Sequence, residues 1–112
     1  MYSKELLKGT LQTIILNLLD QQGKMYGYEI TQKVKLLTDS RIQLTEGALY
    51  PALHKMEAEG LLLTEKVKIG KRTRKYYIPT KSGKEAALAK KNEFNSFYKT
   101  VIEILKLQKQ YT

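Results

Sequence analysis

Thr45-Glu46-Gly47-Ala48-Leu49-Tyr50-Pro51-Ala52-Leu53-His54-Lys55-Met56-Glu57 opens a helix. Gly60-Leu61-Leu62-Leu63 then starts a strand, Ile69-Gly70-Lys71-Arg72-Thr73 turns, and Arg74-Lys75-Tyr76-Tyr77-Ile78 returns. Thr45 suits an N-cap, because its hydroxyl can accept an orphan amide of the first turn. Leu49, Leu53 and Met56 make the row to be buried, and Gly60 ends the helix. Pro51 removes one backbone bond and presses on the carbonyl of Gly47, the least crowded residue available. A bent or late-starting helix is expected there. Six of the ten residues from Lys66 to Lys75 are basic and none is acidic.

Upstream, Leu7, Leu11, Ile14 and Leu18 mark a helical stripe from about Lys4 to Gln22, and Leu6, Ile15, Leu16 and Leu19 widen it beyond one face. Gly23 stops it. Gly27 precedes a second helix over about Tyr28–Leu37, with Ile30, Val34 and Leu37 inward. Arg41-Ile42-Gln43-Leu44 alternates as a short strand would. Downstream, the hairpin is expected over 61–68 and 74–79. Pro79 cannot donate to a ladder and closes it. Thr80 caps a last helix running to about Gln108, in which Phe94, Phe97, Tyr98, Val101, Ile104 and Leu105 recur at spacings of three and four. At ~1.5 Å per residue that helix reaches roughly 40 Å, more than a core of this size can cover. A second copy of the chain is the expected cover.

The 112 residues suit one domain. With 20 basic and 11 acidic residues the chain carries a net charge of +9, which predicts a polyanionic partner, nucleic acid or an anionic surface. The absence of cysteine excludes disulfides, cysteine zinc sites and thiol nucleophiles. No apolar run approaches the ~20 residues of a membrane span, and Met1-Tyr2-Ser3-Lys4-Glu5 lacks the pattern of a secretion signal. A cytoplasmic, nucleoid-associated protein without a membrane partner is expected. His54 and Glu57 share a helical face, but no second histidine exists to complete a metal site. Ser3, Ser40, Ser82 and Ser96 lack a nucleophile-elbow context. No metal, cofactor or catalytic residue is expected, and no enzyme.

A helix entering a cationic hairpin in this order is the winged form of the helix-turn-helix. The expected fold is mainly α (α+β), with a two-stranded β-wing and a long C-terminal dimerisation helix. Residues 1–83 form the winged-helix DNA-binding domain, whose first helix also serves the dimer, and 84–112 form the dimerisation helix of the same compact domain. In the third helix Thr45, Glu46, Tyr50, Pro51, His54 and Lys55 are the candidates for groove contact. Tyr50 can contact the groove or pack against the second helix. Pro51 can meet a thymine methyl or only shape the helix. In the wing Lys66, Lys68, Lys71, Arg72, Arg74 and Lys75 can line phosphates. Successive residues face opposite sides, so about half reach DNA together, with Arg72 expected at the tip. One of Tyr76 and Tyr77 should pack inward. The dimer interface is assigned to Leu7, Leu11, Ile15, Phe94, Phe97, Tyr98, Val101, Ile104 and Leu105.

The chain resembles the PadR family of winged-helix transcriptional regulators in its short form, without an added C-terminal helical domain. The resemblance rests on Lys8-Gly9-Thr10-Leu11, Tyr26-Gly27-Tyr28-Glu29-Ile30, Gly47-Ala48-Leu49-Tyr50-Pro51-Ala52-Leu53 and Met56-Glu57. Glu59-Gly60-Leu61, Arg74-Lys75-Tyr76-Tyr77, Thr80 and Gly83 continue it. Pro79 departs from the leucine or isoleucine more usual in the family. The resemblance implies a homodimeric repressor of double-stranded DNA, with the dimer built from the first and last helices. It also implies a possible small-molecule effector, since some relatives release DNA when a phenolic acid or flat hydrophobic drug binds near the dimer interface. The rival expectations are a winged-helix module that binds an acidic protein, and a nonspecific nucleic-acid binder.

Overall fold

The computed structural model describes residues 2–107. Seven elements follow in order: α1 (Lys4–Gln22), β1 (Met25–Tyr26), α2 (Gly27–Leu37), α3 (Glu46–Ala58), β2 (Leu62–Ile69), β3 (Arg72–Pro79) and α4 (Lys81–Leu107). The sheet is antiparallel with order β1-β3-β2, so the wing hairpin carries a third strand that the sequence reading missed. Met25 pairs with Tyr77 and Tyr26 with Tyr76.

The helix ends follow local chemistry. The Leu6 amide donates to Ser3 Oγ at 3.4 Å, and Gly23, at φ 91°, donates to the Leu19 carbonyl at 2.8 Å. The Ala48 amide donates to Thr45 Oγ1 at 3.2 Å. α3 therefore starts directly behind its cap and runs through Pro51, neither late nor interrupted. Pro51 stands past the first turn, where the bond it cannot make would have ended on Gly47. At the other end Leu61 donates to the Met56 carbonyl and Gly60 to that of Glu57, with Gly60 at φ 79°. These two bonds are the Schellman pattern, which needs a left-handed residue at that place.

Residues 41–44 form no strand. Asp39 and Ser40 take positive φ values of 51° and 62°, and the Thr38 hydroxyl accepts the Ile42 amide at 3.0 Å. The alternation there is real, since Ile42 is half-buried and Leu44 buried. It serves a turn that folds back on the end of α2, with no partner strand to pair.

The core joins Ile15, Leu16 and Leu19 of α1, Ile30 and Val34 of α2, Leu49, Leu53 and Met56 of α3, Leu62 and Tyr77 of the sheet, and Ala87 of α4. Burying each large side chain contributes about 1.5–3 kcal/mol. The first turns of α4 are fixed to this core. The Gly83 amide donates to Thr80 Oγ1 at 3.0 Å, and the Thr80 hydroxyl donates to the Gly60 carbonyl at 2.7 Å. Asn17 Nδ2 bridges α1 and α4, donating to the carbonyls of Thr13 and Ala87 at 2.8 and 3.0 Å. Beyond Lys90 the cover thins: every residue from 91 to 100 is exposed, and Val101 and Ile102 are half-buried. The expected end of this helix at Gln108 lies outside the described residues. No helix among them is long and apolar enough to cross a membrane.

Candidate nucleic-acid interface

With Leu49, Leu53 and Met56 facing the core, the opposite side of α3 is formed by Gly47, Ala48, Pro51, His54 and Lys55, all exposed. Thr45 and Glu46 are exposed at its N-terminus. Tyr50 lies between the two sides and is half-buried. Its hydroxyl rests over Gly27, where an added Cβ would overlap it. Packing against the start of α2 is thus its structural role, and Gly27 is the residue that permits it. The Tyr50 and His54 rings lie 6.3 Å apart. The centre of the exposed side is small and apolar. Its polar groups, Glu46, His54 and Lys55, stand around it.

The hairpin turn holds only Gly70 and Lys71, with Gly70 alone at positive φ (63°). A positive φ at the first of two loop residues is the type II′ requirement. Lys71 therefore occupies the tip, while Arg72 is already in β3, opposite Ile69. The register then sorts the cations. Directly opposed residues share a face of the sheet. Leu62–Pro79, Thr64–Tyr77, Lys66–Lys75 and Lys68–Thr73 make one face; Leu63–Ile78, Glu65–Tyr76, Val67–Arg74 and Ile69–Arg72 make the other.

The first face is the one turned to α3. Tyr77 is buried on it, and Glu57 of α3 accepts from the Thr64 hydroxyl at 3.3 Å and pairs with Lys75 Nζ at 3.6 Å. Burial pushes the Tyr77 phenol above its ordinary pKa, with the Lys75 ammonium pulling the other way. Lys66 and Lys68 continue this face outward and are exposed. On the opposite face the Arg74 guanidinium lies 4.0 Å from the centre of the Tyr26 ring. Beside the Tyr76 hydroxyl its pKa is raised further. Tyr26 and Tyr76 meet edge to face at 5.5 Å. Of the six wing cations proposed from sequence, Arg74 and Lys75 are occupied within the chain. Lys66, Lys68, Lys71 and Arg72 are exposed, and only the two former continue the α3 face.

A second surface runs along α1 and α4. Phe94, Phe97, Tyr98, Ile104 and Leu105 are exposed there, Phe97 to 67%, and Leu7, Leu11 and Val101 are half-buried. Ile15 is a correction: it is fully buried in the chain's own core and has no surface to offer. The sequence stripe was wide because α1 is covered on several sides, and periodicity alone cannot assign a residue to one of them. Leu6, 64% exposed, was not among the assigned residues and extends the apolar surface. Between the two helices lies an open groove of about 440 Å³, lined by Leu6, Gly9, Thr10, Phe94 and Phe97 with Glu5, Lys90 and Glu93. Among the described residues no three histidine, aspartate or glutamate side chains come together as a metal site would need.

The family model described as "Transcriptional regulator PadR-like family" matches residues 15–89. A transcriptional regulator of Mycobacterium tuberculosis is 34% identical over 64 residues, which span 57% of this chain and 57% of that protein. Among solved structures, a transcriptional regulator from Clostridium thermocellum superposes with a TM-score of 0.83 at 29% identity, covering 89% of this chain and 97% of its own. Bacillus subtilis PadR, solved in complex with operator DNA, superposes with a TM-score of 0.64 at 30% identity, covering 70% of this chain and 45% of that one.

Proposed function

The chain belongs to the PadR-like family of transcriptional regulators, and from that premise we propose that it is a homodimeric repressor that binds double-stranded operator DNA. The observation that carries this is the single surface shared by the exposed side of α3 and the α3-facing side of the wing. The N-terminal turns of α3 enter a major groove, with Thr45, Glu46 and Pro51 at the base edges and His54 and Lys55 farther along the helix, toward the flanking backbone. Lys66 and Lys68, joined by Lys71 and Arg72 at the wing's end, hold the flanking phosphates. The B. subtilis complex supports DNA as the ligand of this architecture.

Dimerisation accounts for the distal half of α4. A helix with Phe94, Phe97, Tyr98 and Ile104 exposed loses their burial energy unless another surface covers them. A two-fold partner presenting the same stripe, together with Leu6, Leu7 and Leu11 of α1, supplies that cover. Two α3 helices then meet successive major grooves about 34 Å apart on an inverted repeat, and a promoter so covered is closed to polymerase. A small aromatic or hydrophobic effector entering the α1–α4 groove changes the packing of the two protomers and releases the DNA.

The test is a mass measurement by light scattering, followed by titration of the duplex upstream of the protein's own coding region against a scrambled duplex. A dimer mass, a preference of at least ~1,000-fold and a log–log salt slope of about −5 to −9 are expected. A monomer, or equal affinity for both duplexes with a flat salt response, would defeat the proposal.

A further inference from the structure

We propose that α3 reads thymine through its 5-methyl group, with Ala48 and Pro51 as the specificity-determining residues. The inference rests on the DNA-binding reading above and deepens it from "an operator" to the base chemistry that the operator must present.

Three observations lead to it. First, the part of α3 opposite the core is built in its first two turns from Gly47, Ala48 and Pro51, all exposed. None of the three has a side-chain donor or acceptor, and Pro51 has no backbone amide either. Second, guanine is read by the donors of arginine or lysine, and adenine by the paired groups of asparagine or glutamine. Between Thr45 and Met56 there is no arginine, asparagine or glutamine, and the single lysine is Lys55. It lies almost three turns in, roughly 15 Å along the helix from Thr45, beyond the N-terminal residues that reach base edges. Third, the one large side chain of these turns that could block a close approach, Tyr50, is folded back onto Gly27. The helix backbone can therefore descend into the groove until the Ala48 methyl and the Pro51 ring meet its floor. In B-DNA the single apolar feature of that floor is the thymine methyl, which alanine-type contacts recognise. Glu46, on the flank, accepts from an exocyclic amino group of cytosine or adenine and repels a guanine edge, which presents acceptors there.

The experiment begins with selection of duplexes from a random 26-base-pair library by the full chain. The recovered duplex is then remade with deoxyuridine in place of one thymine at a time, which removes the methyl and nothing else. One or two positions per half-site should weaken binding by about four-fold for each buried methyl lost, while uracil elsewhere has no effect. In Ala48→Gly, checked for its helix content, sensitivity at one of those positions should disappear. Because the uracil series uses the unaltered protein, the proposal is decided even if that variant does not fold. Specific binding with no uracil-sensitive position overturns the proposal and leaves the DNA-binding reading intact. Failure to enrich any sequence removes the premise, and the proposal with it.

Discussion

Two glycine turns flank β2, and they do opposite work. Gly60 and Gly70 both adopt positive φ, 79° and 63°. At the first turn the amide and the carbonyl of both Gly60 and Leu61 are engaged. The Gly60 carbonyl accepts the Thr80 hydroxyl, the Leu61 amide donates to Met56, and the Leu61 carbonyl accepts the Thr80 amide at 3.1 Å. That knot fixes the first turn of α4 against the last turn of α3. At Gly70 the chain merely reverses, and Lys68, Ile69, Lys71 and Arg72 around it are all exposed. A glycine at positive φ thus builds a junction in one place and an outstretched cationic arm in the other. What separates them is whether a third element arrives to use the freed backbone groups. The two regions should therefore fail differently, the junction in stability and the arm in DNA affinity.

The sharpest break of the junction is Gly83→Ala. A Cβ at this position would fall on the Leu61 carbonyl oxygen, backbone that cannot step aside. Chemical denaturation should show a loss of about 3 kcal/mol; an unchanged midpoint would mean that α4 can lift off α3 without cost. Thr80→Ala removes both the cap of α4 and the bond to Gly60. It should cost about 1 kcal/mol in the same assay, with any change in DNA affinity no larger than the change in folded fraction. Arg74→Ala sharpens the comparison from the wing side. Its guanidinium serves the Tyr26 ring, so the unfolding midpoint should fall slightly while the salt slope of DNA binding stays as it was.

The smallest effect is a pH dependence. The folded state holds the Tyr77 phenol above its ordinary pKa, so an unfolded chain releases that proton more easily. The stabilisation is complete below pH ~10 and is lost as pH rises through the folded value. Unfolding midpoints should decline over that alkaline range, and more steeply than in Tyr77→Phe.

The helices and the hairpin were legible because their signals are local. Gly23, Thr45, Gly60 and Thr80 each act on amides or carbonyls within a turn of themselves, and the structure uses all four at helix ends, with Ser3 as a further cap that the sequence reading had not singled out. β1 was not legible, since two residues have no period, and Met25–Tyr26 is a strand only because β3 offers it an edge. Residues 41–44 misled for the complementary reason: they alternate, but no edge receives them. In the candidate site, alternation told that half of the wing cations share a face. Which half lies toward α3 depends on Tyr77 being the buried tyrosine and on Glu57 reaching Lys75, and both are tertiary facts. Arg72 was expected at the tip because the turn was read as longer than the two residues it holds. Pro51 looked like a defect of α3 and stands at the centre of its exposed side.

The most direct test of the account is the salt dependence of DNA binding by Lys66→Ala/Lys68→Ala, measured beside Arg74→Ala. If the α3-facing side of the wing lies on phosphates, the double variant should bind more weakly, and its log–log slope should flatten by about 1.8 per protomer. Its unfolding midpoint should not move, and Arg74→Ala should keep the full slope. A double variant that retains the full slope, or an Arg74→Ala that loses it, would place DNA on the other face of the wing and contradict the account.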